Sequence, residues 1–556
     1  MRRPLSLLFL LALSCAPATP PPQAVPQPPQ FAATSVARRV VLLSFDGLGA
    51  DALSREQNLP SFERLAREGA SARVINVDPT HTAPSHVSIL TGADPQRTGV
   101  VSNRFHLPGT PIEQTARGLM QDSDVETLVE AARRQGKRVG AVSFPTIDNV
   151  TPRRTADFGM VWTTPLVPAR IVTLTRADFR REWVPPTWNE RPQRRQSFSP
   201  VQRARIEWSV PRSIRLDVYL VAYDTTDDGR ANYDAYFIEE GEREIAADDR
   251  GWFAISRQTG DGLHGSWSKI LDATPALDVT IYWGSISRND AWPESFRTLL
   301  DEEVGFWPGA PEEELDVDVD TFIEQLERLA DFYTGAQTMT IARMPFDLLL
   351  AYQAEIDVAA HEFLGAPDGE EVLRAAFVAA DRAVAAIAEE LQPDDALVVT
   401  GDHGLVVADR EVRLNTLLAD RGFAPRWRAY SSGAHAHLYR FSEPDDTDAV
   451  AAMLTESGHF ELVKKKTADA HRHSGDLMAW GFPNVAVVAE DLAPAVVTPE
   501  PHGQHGGLNI HRELHPPLFA IGQGVPIGSF GEIAQTKIAR FVSGLLGIEA
   551  PAAAAD

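Results

Sequence analysis

The chain has 556 residues, enough to bury a large core and to hold two or three domains. A hydrophobic share of 44% with 23% charged residues is ordinary for a soluble globular protein. The formal charge of −25 argues against a general nucleic-acid binder, since a phosphate backbone needs a basic face. Small phosphate esters stay open, because metal ions can supply positive charge locally.

In chain order, Arg2 and Arg3 precede an apolar run from Leu5 to Leu13, too short to span a bilayer and flanked as an export signal is. Ser14-Cys15 follows, and Cys15 is the only cysteine, so an internal disulfide and a structural cysteine cluster are excluded. The segment, residues 1–15, resembles a bacterial lipoprotein signal in which the cysteine becomes the lipidated first residue. The expectation is an exported protein: a periplasmic or cell-surface lipoprotein anchored through Cys15, or otherwise a secreted one. Residues 16–36 are Pro-rich and read as an extended tether, with folding expected from Arg39.

Val40 to Phe45 is a continuous apolar run before Asp46-Gly47, which reads as a buried parallel strand ending in an acidic loop. Pro60 to Gly69 reads as a short amphipathic helix. Thr82 sits in a run of small hydroxyl residues, and Val87 to Leu90 behind Pro84 carries a helix start. A hydroxyl there serves either as an ordinary N-cap or as an attacking group, because a helix N-terminus favours developing negative charge. A turn follows at Gly99 to Asn103, then a helix at Asp124 to Gly136 and a strand at Arg138 to Phe144. Strand and helix alternate, so the class is α/β.

From Arg154 to Glu314 the texture changes. Ile214 to Tyr223 contains period-2 alternation, and Tyr233 to Ile238, Trp252 to Ile255 and Leu277 to Trp283 are further aromatic, β-rich runs. A mainly antiparallel insert is expected over 154–339, with the acidic Glu312 to Asp320 stretch near its end. Helical spacing returns at Val319 to Tyr333. The α/β pattern resumes with a strand at Phe346 to Tyr352, a helix at Glu371 to Leu391 and a strand at Ala396 to Thr400. Further strands are expected at His437 to Phe441, Val485 to Ala489 and Leu518 to Ile521, and a closing helix at Ile533 to Leu546. The α/β domain would therefore consist of residues 37–153 and 340–548.

Acidic and histidine residues recur at or just past the predicted strand ends. Asp46 closes the first strand. Asp357 and His361 form D-x-x-x-H, one helical turn apart and so on one face. Asp402 and His403 end the Ala396 strand, and His505 lies in a glycine-rich loop. Ligands collect at the carboxyl ends of strands in an open α/β sheet. Three Asp and three His, with the Thr82 oxygen, give seven ligands that divide between two ions with open positions. The set suits Zn²⁺ and tolerates Mn²⁺ or Fe²⁺. Each residue also has an ordinary reading as a cap, turn or surface pair.

These motifs (FDG at Asp46, T-x-P-x-H at Thr82, TG-x-x-P-x-x-x-G ahead of Asn103, D-x-x-x-H at Asp357, GDHG at Asp402 and G-x-HG at His505) make the chain similar to the alkaline phosphatase superfamily. Within it, the resemblance is to the nucleotide pyrophosphatase/phosphodiesterase branch. It implies an alkaline phosphatase-like central sheet flanked by helices, with the β-rich insert as a cap domain. It also implies roles. Thr82 would be the nucleophile and Asn103 a donor to a non-bridging phosphate oxygen. Asp46, Thr82, Asp402 and His403 would hold one zinc, and Asp357, His361 and His505 the other. Relatives often carry an aromatic and an Asn around the motif proline, the aromatic helping to form the leaving-group pocket; this chain has Ala83 and Ser85 there, so the resemblance does not carry over a preference for nucleotides.

The reading is an exported metal-dependent hydrolase acting on a small phosphate ester, with no polymeric nucleic acid as partner. Phosphomonoesterase or phosphonate hydrolase activity on the same constellation is the nearest alternative. A surface-tethered, non-catalytic binding protein using the β insert is the alternative from another class. His81, His86, His435, His437 and His473 match no ligand position and are expected to pack or to support the ligands.

Overall fold

The computed structural model describes residues 31–554, apart from 163, 182–195, 242, 312–314 and 316. The export signal, Cys15 and most of the tether lie outside the described residues, as does part of the acidic stretch after Pro311.

A nine-stranded sheet carries the architecture. Its strands are β1 Val40–Phe45, β2 Ala70–Ile75, β3 Val139–Val142, β4 Phe158–Met160, β5 Ala291–Trp292, β6 Leu348–Gln353, β7 Ala396–Gly401, β8 Pro517–Gly522 and β9 Gly528–Ala534. Across the sheet they run β5-β4-β3-β6-β1-β7-β8-β2-β9. The block from β4 to β7 is parallel. β8 runs antiparallel between β7 and β2, so β2 points the same way as the parallel block.

Strands β1, β6 and β7 are buried at every position, as their largely apolar sequences require of strands covered on both faces. Helices supply the cover. These are α1 Pro60–Glu68, α2 Thr82–Thr91, α3 Val319–Arg343, α4 Glu355–Phe363, α5 Gly369–Glu390 and α6 Lys537–Leu546. Leu329 and Tyr333 of α3, Phe377 and Ala380 of α5, and Phe541 of α6 all join the sheet's core. The register matters most for function. Phe45 lies opposite both Gln353 and Gly401, so β1, β6 and β7 end level and the residues that follow them start from one edge.

Between Arg170 and Arg288 the chain builds two antiparallel sheets, one four-stranded and one five-stranded. Trp208, Val218 and Leu220 of the first pack with Phe253, Ile255 and Ile281 of the second in a shared core. The insert leaves and returns at one edge of the main sheet. β5 pairs antiparallel with β4, Ala291 opposite Met160 and Trp292 opposite Gly159. α3, which follows, packs on the main sheet rather than within the insert.

Three local expectations are corrected. The packed chain begins before Arg39: the Phe31 ring lies 4.2 Å from that of Phe541, and the Thr34 amide donates to Gly524 O at 2.8 Å. Ile533 and Ala534 belong to β9, and the closing helix begins at Lys537. β9 is an edge strand with only intermediate or exposed positions, so its sequence carries little apolar alternation to announce it. α2 begins at Thr82 rather than after Pro84, because a proline in the first turn sacrifices no helical hydrogen bond.

The strands expected at His437 and Val485 form within small separate sheets. No helix among the described residues is long and apolar enough to cross a membrane.

Candidate active site

Six of the seven expected metal ligands fall into two clusters at the level end of β1, β6 and β7. Asp46, Asp402 and His403 place one ligand atom each within 4.8 Å of one another, and so do Asp357, His361 and His505. Asp46 follows β1 directly, Asp402 and His403 follow β7, and α4 starts two residues after β6 with Asp357 and His361 on one face. The clusters adjoin: the His403 and His505 rings stack at 3.7 Å with 10° between their planes. Gly47 holds the first turn open. It has φ +71°, and a Cβ there would lie 2.9 Å from Asp357 Cα.

The second ring nitrogens fix the tautomers. His361 Nδ1 donates to Gly503 O at 3.0 Å, and His505 Nδ1 donates to Thr80 O at 3.1 Å. Both Nε2 atoms are thereby left as acceptors, the form in which imidazole binds a metal. Gly506 allows this loop to close, with φ +87° and a would-be Cβ 2.0 Å from His81 Nε2. Asp402 Oδ1 accepts from the amides of Gly47 at 3.2 Å and His403 at 2.9 Å. That leaves Asp402 Oδ2 and Asp46 Oδ1 buried without a hydrogen bond, at 3.2 and 3.3 Å from His403 Nε2.

Thr82 is the first residue of α2, but it is not an N-cap. His81 holds that position, with no side-chain cap bond. The Thr82 hydroxyl instead lies 3.2 Å from His403 Nε2, at the edge of the Asp46 cluster. Asn103 Oδ1 accepts the Ala83 amide at 2.9 Å, which fixes its amide orientation and leaves Nδ2 as a donor beside the head of the helix.

Burial dominates the electrostatics. It drives Asp46 up to about 8, with the Asp357 carboxylate adding to the rise and the Tyr352 hydroxyl opposing it. Burial, then Asp46 and Asp357, lift Asp402 well above the carboxylate range. Burial holds His403 and His505 well below the usual imidazole value. Among the described residues, no arginine or lysine pairs with Asp46 or Asp402. Buried carboxylate oxygens without donors, beside neutral imidazoles, are the surroundings a divalent cation fits. One expectation follows. At pH 7 the metal-free protein holds protons on the raised carboxylates, and loading with Zn²⁺ should expel them. Calorimetric titration in buffers of different ionisation enthalpy should therefore show proton release.

Residues 40–508 match the family model described as type I phosphodiesterase / nucleotide pyrophosphatase. The chain belongs to that family. It is 34% identical over 125 residues to the bis(5'-adenosyl)-triphosphatase enpp4 of Xenopus laevis, covering 20% of this chain and 26% of that protein. It is 40% identical over 73 residues to the mouse protein of the same name, covering 13% and 16%. The matched stretches thus span about a quarter of the first relative and less of the second. In overall fold the chain is similar to human ectonucleotide pyrophosphatase/phosphodiesterase 5. That match has a TM-score of 0.52 and 14% identity, over 92% of this chain and 96% of that one. The murine protein gives 0.51 at the same identity and coverage. At that identity the likeness shows the fold.

Within this phosphodiesterase family site, the sequence marks His81, His86 and His473 for packing or support but gives no sign of Tyr352. Tyr352, at the end of β6, donates to Asp46 Oδ2 at 2.6 Å across 306 positions of sequence. His86 joins α2 to β1, with Nδ1 donating to Thr82 O at 2.9 Å and Nε2 3.0 Å from Ser44 Oγ. The i, i+4 spacing of Thr82 and His86 in T-x-P-x-H was the one available sign of this contact. His81 is bonded to Ser432 O and Ser102 Oγ, and His473 to Gly99 O.

Proposed function

We propose that the chain is an exported phosphodiesterase that hydrolyses phosphodiester or pyrophosphate bonds with Thr82 as nucleophile. The observation that carries this reading is the Thr82 hydroxyl: it stands at a helix N-terminus, 3.2 Å from His403 Nε2 and beside two donor-poor carboxylates. The relatives named for triphosphatase activity make pyrophosphate linkages the first class to test.

In the first step the Thr82 hydroxyl gives up its proton as its oxygen forms a bond to phosphorus, and one ester bond breaks with the leaving group departing, giving a phosphothreonine that still carries the substrate's second ester group. In the second, water attacks phosphorus from the vacated side, the threonine–phosphorus bond breaks, and Thr82 regains its proton. Asn103 Nδ2 donates to a non-bridging oxygen as charge builds there. The helix N-terminus favours the same charge.

Asp46, Thr82, Asp402 and His403 would hold one divalent ion and Asp357, His361 and His505 the other, with zinc the best match to these donors. Bound there, a metal pair supplies Lewis acidity and lowers the pKa of the hydroxyl and of water. Export rests on the basic and apolar leader, with Cys15 as the point of lipid attachment.

The test compares aryl diester, monoester, phosphonate and sulfate substrates with zinc-loaded and chelator-stripped protein. The diester should turn over fastest, stripping should abolish activity, and Zn²⁺ should restore it. Full activity in stripped protein overturns the mechanism, and a faster monoester or phosphonate transfers the reading to those substrates.

A further inference from the structure

Thr82 and Asn103, the attacking oxygen and the donor that meets the charge it creates, come from different segments of the chain. Their spacing has to hold within about 0.5 Å for the donor to be worth anything in the transition state. One tie between them is direct, from the Ala83 amide to Asn103 Oδ1 at 2.9 Å. A single hydrogen bond is a pivot, and it leaves the Asn103 segment free to swing.

His81 supplies a second tie. Its Nε2 lies 2.8 Å from Ser432 O, and a carbonyl only accepts, so the ring proton sits on Nε2. Nδ1 is thereby an acceptor, and the Ser102 hydroxyl, 3.2 Å away, donates to it. The two ties flank Thr82 on one segment and meet adjacent residues, Ser102 and Asn103, on the other. His81 and Ser102 are both fully buried.

The ring has nowhere else to go. A Cβ on Gly506 would lie 2.0 Å from its Nε2, and its edge meets the His505 ring at 5.6 Å and 88°. Ser432 ends one strand of the hairpin Trp427–Ser432 and His435–Arg440. In the turn of that hairpin the Ala434 amide donates to His505 O at 2.8 Å. The anchor of His81 is thus itself fixed to the backbone of a candidate metal ligand.

We infer that His81 is a positioning residue: through Ser102 it holds Asn103 in register with Thr82, and so acts on the transition state rather than on substrate binding. This inference rests on the proposed function, and its test is arranged to fail separately.

Zinc-loaded wild type, Ser102→Ala, His81→Gln, His81→Asn, Asn103→Ala and the His81→Gln/Asn103→Ala double variant are assayed on bis(p-nitrophenyl) phosphate. Ser102→Ala, the mildest change, and His81→Gln should each lower kcat about 10- to 100-fold, with KM and zinc content near wild type. His81→Asn should keep more of kcat than His81→Gln. An asparagine oxygen takes the place of Nδ1 and can still accept from Ser102, whereas a glutamine amide reaches only the place of Nε2. The decisive comparison removes the group through which His81 acts. Added to Asn103→Ala, His81→Gln should cost less than about 2-fold further. Losses that multiply in the double variant, an unchanged kcat in Ser102→Ala, or a rise in KM without a fall in kcat overturns the role of His81. An Asn103→Ala variant with wild-type kcat overturns the underlying reading of Asn103 instead, and the inference with it.

Discussion

Thr82→Ala is expected to lower kcat on an aryl phosphodiester by about four to six orders of magnitude, the range seen when an enzyme loses its nucleophile but keeps the rest of its site. The structure separates this loss from misfolding. The helix start is held by the backbone, with Ser85 N donating to His81 O at 2.9 Å and His86 bonding Thr82 O, and alanine keeps all of that. The variant keeps the Asp46, Asp402 and His403 donors, so it should still bind zinc, more weakly at that one position, and melt near wild type while turning over almost nothing. Thr82→Ser retains the oxygen and should stay far more active than the alanine form. An acid-quenched reaction, digested and analysed by mass spectrometry, should show the aryl-phosphoryl group on the peptide containing Thr82. Substantial turnover by Thr82→Ala would remove the residue from its assigned role.

The second large effect is expected from Asp402→Asn. The carboxylate does two jobs through two oxygens: Oδ1 accepts the Gly47 and His403 amides, while Oδ2 faces into the cluster. Asparagine can keep the first role through its carbonyl oxygen, so the turn after β7 should persist. The second role is lost, because an amide brings no charge and turns donors toward the cavity. Residues that merely support metal ligands cost about 10–100-fold when replaced, so a direct ligand should cost more than about 100-fold. Metal analysis should show the zinc content falling from two ions toward one per chain. Two tightly held ions in the variant would count against the assigned ligand set.

Much of this site could be read before the fold was known, for identifiable reasons. Val40–Phe45 is apolar but for Ser44, so strand and end point are both legible, and with them the position of Asp46. Asp357 and His361 announced themselves by helical spacing, and Asp402-His403 by following another largely apolar run. What stayed hidden depends on contacts between remote segments. Nothing near Tyr352 indicates that its hydroxyl reaches Asp46, and nothing in the glycine-rich loop shows that Thr80 O orients His505. Pro84 hides the head of α2 in the sequence, because proline resembles a boundary although a first turn accepts it. β9 is an exposed edge strand with little apolar pattern to display, and its last residues resemble the start of the closing helix.

The pairing of β5 with β4 has a consequence for how such a chain can change over time. Entry to and exit from the β layers stand side by side at a margin of the sheet, with β3 between them and the level ends of β6, β1 and β7. The whole excursion is thereby exchangeable, like a fitting clasped at its base. Shortening it, or grafting another module between Met160 and Ala291, asks nothing of the register that brings the Asp and His residues together.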